Sequence, residues 1–151
     1  MLLSTTARVN VLNNISGKLG SFTIGSNGNC WLGLSTADPG NTGSSFAEPA
    51  ASKNYARVNI HTLMGTPTTS GAVTSIANAS DINFNMAVDQ SDPSAVTGAD
   101  WGTIVAVGLF TSATGGDPYA WGLLDTSVSV PTQSSLHFYQ GKFKISIQEA
   151  T

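Results

Sequence analysis

Residues 101–124 of this chain have the sequence WGTIVAVGLFTSATGGDPYAWGLL. Two apolar runs, 104–110 and 119–124, flank the turn-rich segment 114–118. Short β-branched and aromatic runs bounded by Gly, Asp and Pro are typical of two antiparallel strands joined by a hairpin. Because the first run does not alternate with polar residues, we predict that its strand is buried on both faces. The stretch is therefore interpreted as a core hairpin, and we expect no catalytic chemistry from it.

The composition favours a β-rich fold. At 151 residues the chain suits a single domain, 1–151, that buries roughly 70% of its unfolded surface. Charged residues make up only 10% of the chain, against about 25% in typical soluble domains. The polar surface is therefore built mostly from Ser, Thr, Asn and Gly, which is typical of a fold with many turns or of a surface covered by neighbouring molecules.

Charge, hydropathy and cysteine content argue against several classes of protein. The net charge is −3 and the six Lys and Arg residues are scattered, which argues against nucleic acid as a partner. No apolar run approaches the roughly 18 residues that a membrane helix needs. The N-terminus lacks the layout of a signal peptide, so we expect no membrane partner and synthesis in a cytoplasm. The single cysteine, Cys30, excludes an intrachain disulfide, and its place beside Trp31 predicts a buried, inert thiol.

Residues 1–20 are predicted to form an N-terminal helix or arm. Apolar residues recur at helical spacing within 4–19, on a stripe formed by Ala7, Val11, Leu12, Ile15 and Leu19. Ser4 or Thr5 suits the N-cap, and Gly17 or Gly20 suits the end of the helix. We expect this helix to pack across a sheet or onto a partner subunit.

Outside the hairpin, further segments have the composition of strands: 30–35, 55–61, 72–77, 81–88 and 126–130. Two of them alternate between polar and apolar residues, as half-buried strands do. The first has an outward face of Tyr55, Arg57, Asn59 and His61 and an inward face of Ala56, Val58 and Ile60. The second is predicted to turn Ile82, Phe84, Met86 and Val88 inward.

The C-terminal strands change parity. Leu136 and Phe138 share one face, whereas Phe143, Ile145 and Ile147 share the other, so a bulge or tight turn at Gly141 is needed to bring both sets to the core. About eight short strands with turns between them and one helix at the edge predict a mainly β protein. The expected fold is an antiparallel β-sandwich or jelly-roll-like domain with one short N-terminal helix.

A long polar loop, 36–51, interrupts this pattern of short strands. It contains the turn signals Asp38-Pro39-Gly40 and Asn41-Thr42-Gly43. Loops longer than about 12 residues are uncommon without a role. We therefore interpret this loop as a candidate contact surface.

No residue pattern indicates catalysis, a metal site or a bound cofactor. The two possible imidazole bases, His61 and His137, both lie on outward faces of predicted strands, and no Gly-x-Ser-x-Gly elbow is present. Most acidic residues lie in turns, where Asp bonds to its own backbone. The group Asp81, Asp89 and Asp92 lacks the spacing of a known calcium loop, and zinc would need more Cys and His. We expect that the protein is not an enzyme.

Four aromatic residues could instead form a platform for a sugar: Trp31, Trp101, Tyr119 and Trp121. Each lies within or beside an apolar strand. Packing in the core is therefore the favoured interpretation of these side chains.

Several sequence motifs occur in an order that resembles a known family. They are LGLSTADPG at 32–40, Glu48-Pro49, YARV at 55–58, WGTI at 101–104, GLF at 108–110, ATGG at 113–116, WGLL at 121–124, Phe138, Gly141 and the alternation over 143–147. Together they resemble the small structural proteins of tailed-bacteriophage virions, often labelled tail-fibre-like. The similarity covers roughly residues 30–148, and an N-terminal helix fits the family. The resemblance brings no catalytic or metal-binding residue with it.

This resemblance implies a non-enzymatic structural protein of the virion, made in the bacterial host cytoplasm. The first hypothesis is a capsid decoration, or cement, subunit whose 36–54 loop and N-terminal segment contact the major capsid protein or sister copies in a homo-oligomer. The first alternative is a tail or tail-fibre component. The second is a carbohydrate-binding module that recognises the host surface through exposed Trp or Tyr.

Overall fold

Antiparallel strands dominate the computed structural model, which describes residues 2–3, 5–16 and 28–148. In chain order the elements are β1 (Leu2–Leu3), α1 (Thr5–Ile15), β2 (Trp31–Ser35), a short 3-10 helix (Ala51–Lys53), β3 (Val58–Asn59), β4 (Thr68–Ser70), β5 (Val73–Ala77), β6 (Ile82–Asn83), β7 (Gly102–Phe110), β8 (Ala120–Val130), β9 (His137–Phe138) and β10 (Lys144–Gln148). The predicted fold class, mainly β with one short N-terminal helix, is confirmed. No helix of the described residues is long and apolar enough to cross a membrane.

The strands form three antiparallel sheets, consistent with a β-sandwich. The large sheet has five strands in the order β1-β8-β7-β2-β3, the second has the order β10-β5-β4, and the third pairs β6 with β9. The N-terminal strand β1, which the sequence pattern did not predict, pairs with the start of β8.

The hairpin of β7 and β8 lies at the centre of the large sheet, as predicted. Residues 106–110 of β7 are all buried, which confirms burial on both faces for that part of the strand. The two strands predicted at 119–124 and 126–130 form a single strand, β8. Ile104 pairs with Val128 whereas Ala106 pairs with Leu123, so residues 124–127 bulge out of the ladder.

The core lies between the large sheet and the two smaller ones. Leu32, Leu34, Ile104, Val107 and Leu109 come from the large sheet; Ile82, Phe84, Leu136 and Phe143 come from the chain segments opposite. All of these side chains are buried. At one end of the core, Tyr55 and Trp101 meet edge to face with ring centroids 5.4 Å apart.

The predicted helical stripe is wrong in part. Helix α1 is shorter than predicted, ending at Ile15, and among the described side chains of the stripe only Ala7 is well buried, at 5% exposure. Leu12 is 66% exposed, because α1 packs extensively against none of the described strands. Residues 17–20, with Leu19 and both candidate C-terminal glycines, lie outside the described residues, as do Ser4 and the side chain of Ile15.

The alternation predicted for 55–61 is also wrong on both faces, since Ala56 of the supposed inward face is exposed. Only Val58 and Asn59 form a strand, whereas Tyr55 and Arg57 of the supposed outward face are buried. Alternation holds only where the backbone is extended and paired in a sheet. Residues 55–57 instead follow directly on the 36–54 segment, and the side chains of Tyr55 and Arg57 both bond to Glu48 of that segment.

Two other strands depart from the burial that their apolar patterns suggested. Pairing of β6 stops at Asn83, after which Phe84 is still buried, but Met86 is 49% exposed and Ala87 takes the inward position. Near the C-terminus, Gly141 adopts φ 76° in a turn and Phe143 reaches the core as predicted. Ile147, predicted to share the core face with Phe143, is instead 75% exposed.

Candidate functional site

The outer face of the large sheet, opposite the core, is covered by the chain's own 36–54 segment, which we call the cover loop. Gly33, Gly108 and Trp121 are neighbours across three strands and form a row on this face. A Cβ atom on Gly108 would lie 2.6 Å from Cε2 of Phe46, and one on Gly43 would lie 2.8 Å from Cζ3 of Trp121. The glycines therefore permit the cover loop to lie directly on the sheet.

A buried polar cluster, which we call the Arg57 cluster, fixes one end of the cover loop. Arg57 and Glu48 form a two-pronged ion pair, with Nε 2.8 Å from Oε1 and Nη2 2.7 Å from Oε2. The Tyr55 hydroxyl donates to Oε1 of Glu48 at 2.8 Å and accepts the backbone N–H of Leu34 at 2.8 Å. The cluster thus joins the cover loop to β2.

Arg57 also joins the cluster to the hairpin turn. Its Nη1 donates to the carbonyl oxygens of Ser112 and Gly115 at 3.0 and 2.8 Å. Its guanidinium carbon lies 3.4 Å from the ring centroid of Phe110, a cation–π contact. Within the described chain, no buried side-chain nitrogen or oxygen lacks a hydrogen-bond partner. Such a fully paired arrangement stabilises a rigid scaffold.

Burial raises the pKa values of two tyrosines and the cysteine in this part of the protein. It raises the pKa of Tyr55 far above its ordinary value, and the charge of Glu48 raises it further. The pKa values of Tyr119 and Cys30 are also raised, mainly by burial. The Cys30 sulfur lies 3.3 Å from the Tyr119 hydroxyl and is half-buried rather than fully buried as predicted. A raised thiol pKa lowers the thiolate fraction, in line with the predicted inertness.

The tryptophans do not form an exposed platform. Trp101 and Trp121 are 3% and 2% exposed, and their indole N–H groups donate to the carbonyls of Lys53 and Gly40. Core packing is confirmed for these two residues, and Trp31 is half-buried in β2. A sugar platform built from Trp101 and Trp121 is therefore wrong.

The candidate calcium ligands are engaged in other contacts: Asp89 and Asp92 bond within their own turns, whereas Asp81 bonds to a residue distant in the chain. Asp89 and Asp92 accept hydrogen bonds from Ser91 and Ser94, and Asp81 accepts the backbone N–H of Gln140. The hydrogen bonds from Ser91 lower the pKa of Asp89. Among residues 2–3, 5–16 and 28–148, no group of three or more His, Cys, Asp or Glu could hold a metal ion.

The two histidines have different surroundings. His61 is exposed, in a turn just after β3. His137 is also exposed on β9, as predicted, but both of its ring nitrogens have partners: Nε2 lies 2.6 Å from Oγ of Ser135, and Nδ1 lies 2.6 Å from Oδ1 of Asn83. We call these three residues the His137 cluster. The sequence offered one signal of it, since positions 135 and 137 point to the same side of an extended chain.

The His137 cluster borders an open groove of about 380 Å³. One wall is β9 with Ser135, Leu136, His137 and Phe138; the other comes from the bulged part of β8, Leu124, Asp125, Thr126 and Val128. The groove exists because residues 124–127 leave the β7–β8 ladder. Neither the bulge nor the groove could be predicted from the apolar pattern.

Comparison with protein-family models gives a match over nearly the whole chain. The family described as Podophage GP4 fiber I protein gp80 matches residues 3–146. Among curated proteins, none matches this chain. The family match covers both the sheet with its cover loop and the His137 groove.

Proposed function

Since this chain belongs to the Gp80 family of podophage fibre I proteins, we propose that it is a structural subunit of the fibre on the tail of a podophage virion. The observation that carries the proposal is the match over residues 3–146. It favours the tail-fibre alternative over the capsid-decoration hypothesis that the sequence placed first. The membership itself supports a location in the virion.

The architecture suits a component that must stay folded outside a cell. The cover loop lies on the outer face of the large sheet, and the Arg57 cluster ties it to two other parts of the chain. The Arg57 side chain by itself bonds to three residues: Glu48, Ser112 and Gly115. Anchored segments open locally less often, so they resist proteases better than free loops do. This supports a scaffold role for the sheet and its cover loop.

We place the contacts with other virion proteins and with sister copies on the surface that remains exposed. The outer edge of β8 pairs with β1 only at positions 120 and 121, and no other described strand covers it. Leu123 on this strand is 60% exposed and Val128 is 43% exposed. An unpaired strand edge with exposed apolar side chains is a surface on which another chain can pack.

Labelling of intact particles tests the location. Antibody fragments against this chain, imaged on purified phage by cryo-electron microscopy, should decorate the fibres that project from the tail. Labelling of the capsid lattice would overturn the proposal and support the capsid-decoration hypothesis. If mass spectrometry found no copy of the chain in purified particles, both the tail-fibre proposal and the capsid-decoration hypothesis would be wrong.

Native mass spectrometry tests the proposed contact between copies. The purified protein should form a homo-oligomer, and Leu123→Lys should shift it toward the monomer because a charge on a strand edge opposes pairing. Thr68→Lys is the matched control, since Thr68 lies exposed on the small edge strand β4. The same oligomeric state for wild type and Leu123→Lys would show that copies do not meet at this edge.

A further inference from the structure

The His137 cluster has the connectivity of a nucleophile, a base and an orienting group. Ser135 Oγ lies 2.6 Å from Nε2 of His137, and Nδ1 of the same ring lies 2.6 Å from Oδ1 of Asn83. An amide oxygen only accepts hydrogen bonds, so in the neutral ring Nδ1 carries the proton. Nε2 is then the acceptor, and the Ser135 hydroxyl donates to it. This is the tautomer that a serine nucleophile requires of its base.

The sheet register explains why the orienting contact is stable. Asn83 of β6 and His137 of β9 are directly paired across the two-stranded sheet. Side chains at such positions lie within reach of each other, so this contact would exist in any polar cross-strand pair. The contact between Ser135 Oγ and Nε2 of His137 does not follow from this strand pairing. It joins two residues that lie two positions apart on one chain segment. It points the hydroxyl at the one ring nitrogen that accepts a proton.

The placement of the three residues fits a substrate that approaches through the groove. Ser135 and His137 both line it, whereas Asn83 does not. The nucleophile and base therefore face the open space, and the orienting group lies behind them. The apolar walls, with Leu124, Val128 and Phe138, suit a short acyl chain. The volume of about 380 Å³ falls within the range of small-molecule sites, roughly 300 to 1,000 Å³.

We propose that Ser135, His137 and Asn83 form an acyl-transfer site that hydrolyses short-chain carboxylic esters bound in this groove. The Ser135 oxygen attacks the ester carbonyl while its proton moves to Nε2 of His137. Collapse of the adduct breaks the bond to the alcohol, which leaves with that proton. Water then attacks the acyl-serine in the same manner, releases the carboxylic acid and restores the Ser135 hydroxyl. Asn83 holds the ring in the required tautomer and lends no negative charge, so activated esters should react fastest.

A fluorophosphonate probe tests the site directly, because it forms a phosphorus–oxygen bond with an activated serine as the phosphorus–fluorine bond breaks and fluoride leaves. The full chain should take up one probe, and peptide mass spectrometry should place it on Ser135. Ser135→Ala should abolish this labelling. His137→Gln should slow it roughly 100-fold, the usual contribution of a general base. Asn83→Asp should accelerate it, since a carboxylate stabilises the imidazolium.

Two further measurements distinguish loss of the site from poor folding of a variant. His61→Gln, which changes the other exposed histidine, should label at the wild-type rate. Hydrolysis of p-nitrophenyl acetate should fall in Ser135→Ala to the rate given by the remaining surface groups. The proposal is overturned if wild-type Ser135 takes up no probe, or if His137→Gln labels as fast as wild type. Either result would make the cluster a polar cross-strand ladder only, and neither depends on where the chain lies in the virion.

Discussion

The Arg57 cluster and the His137 cluster are both chains of hydrogen-bonded polar side chains, but the surrounding structure gives them opposite properties. The Arg57 side chain is 3% exposed beneath the cover loop, and its guanidinium donates four hydrogen bonds to protein oxygens. His137 is exposed beside an open groove. A buried polar cluster with every group paired stabilises the fold. An exposed one leaves its hydroxyl accessible to a ligand.

The difference originates in the backbone around each cluster. Gly33 and Gly108 place no side chains on the outer face, so the cover loop lies directly on it. At the other site the bulge over 124–127 moves the backbone away from β7 and opens space. The backbone of the large sheet therefore explains both the burial of the Arg57 cluster and the exposure of the His137 cluster.

The largest effect is expected from Arg57→Ala. It leaves the Glu48 carboxylate, which is 27% exposed, and the carbonyl oxygens of Ser112 and Gly115 without their donor. Breaking a buried ion pair by removing one partner costs about 3–5 kcal/mol. Chemical denaturation should show a decrease of this size in the free energy of unfolding.

Lys142→Ala serves as the control for that measurement, because Lys142 is exposed and its backbone, rather than its side chain, bonds to Tyr139. Exposed substitutions of this kind usually change stability by less than about 0.5 kcal/mol. A loss below about 1 kcal/mol in Arg57→Ala would show that the cluster does not anchor the cover loop, since this falls short of the range for a broken buried pair.

A smaller effect is expected from Gly108→Ala, which tests whether the cover loop lies directly on the sheet. The added Cβ would meet the Phe46 ring at 2.6 Å and Pro118 at 3.1 Å, so one of them must move. Overpacking of this kind costs about 1–3 kcal/mol.

A double-mutant cycle with Phe46→Ala isolates that contact. Removing the Phe46 ring frees the space above position 108, so Gly108→Ala should cost less in the Phe46→Ala background than in the wild type. An equal cost in both backgrounds would mean that the destabilisation comes from the β7 backbone and not from the cover loop.

The sequence predicted the features that depend on local pattern and failed where distant segments meet. The core hairpin, the burial of Trp101 and Trp121 and the turn at Gly141 all follow from residues close together in the chain. The burial of Arg57 does not, because its partners at positions 48, 112 and 115 lie on other segments. An Arg in an alternating run is usually on the solvent face, whereas here the cover loop and the hairpin turn together bury its side chain.

The groove escaped prediction for a related reason. The bulge in β8 depends on how two strands align, and the apolar pattern of 119–130 was satisfied equally well by two short strands. His137 was correctly placed on an exposed face, but its contact with Asn83 joins positions 54 residues apart. Strand register across such distances is set by the whole fold rather than by local composition.

Tyr55→Phe tests the pH behaviour of the buried cluster. At neutral pH it removes the acceptor of the Leu34 N–H and should cost about 1–2 kcal/mol. The unfolded phenol releases its proton near the ordinary value of 10.0, whereas the folded one keeps it to a much higher pH. The unfolded state then binds fewer protons, so wild-type stability falls as pH rises above about 10.

The variant should lose stability less steeply than the wild type over that alkaline range, with a residual slope from Cys30 and Tyr119, whose pKa values are also raised. Denaturation curves at several pH values between 8 and 11, roughly, measure this difference in slope. Tyr139→Phe is the control, because Tyr139 is 67% exposed. Identical slopes for Tyr55→Phe and wild type would show that the Tyr55 phenol does not hold its proton more tightly in the folded state.

The smallest effect on stability is expected at the open cluster, from Ser135→Ala and His137→Gln. Their polar groups stay in contact with water when a partner is removed, so each change should alter the free energy of unfolding by less than about 0.5 kcal/mol. Chemical denaturation under the conditions used for Arg57→Ala gives the direct contrast. A loss above about 2 kcal/mol would place the His137 cluster among the buried, stabilising networks, since costs of that size arise from breaking such networks. It would then be a second support of the fold, and the contrast between a closed and an open polar cluster would not hold.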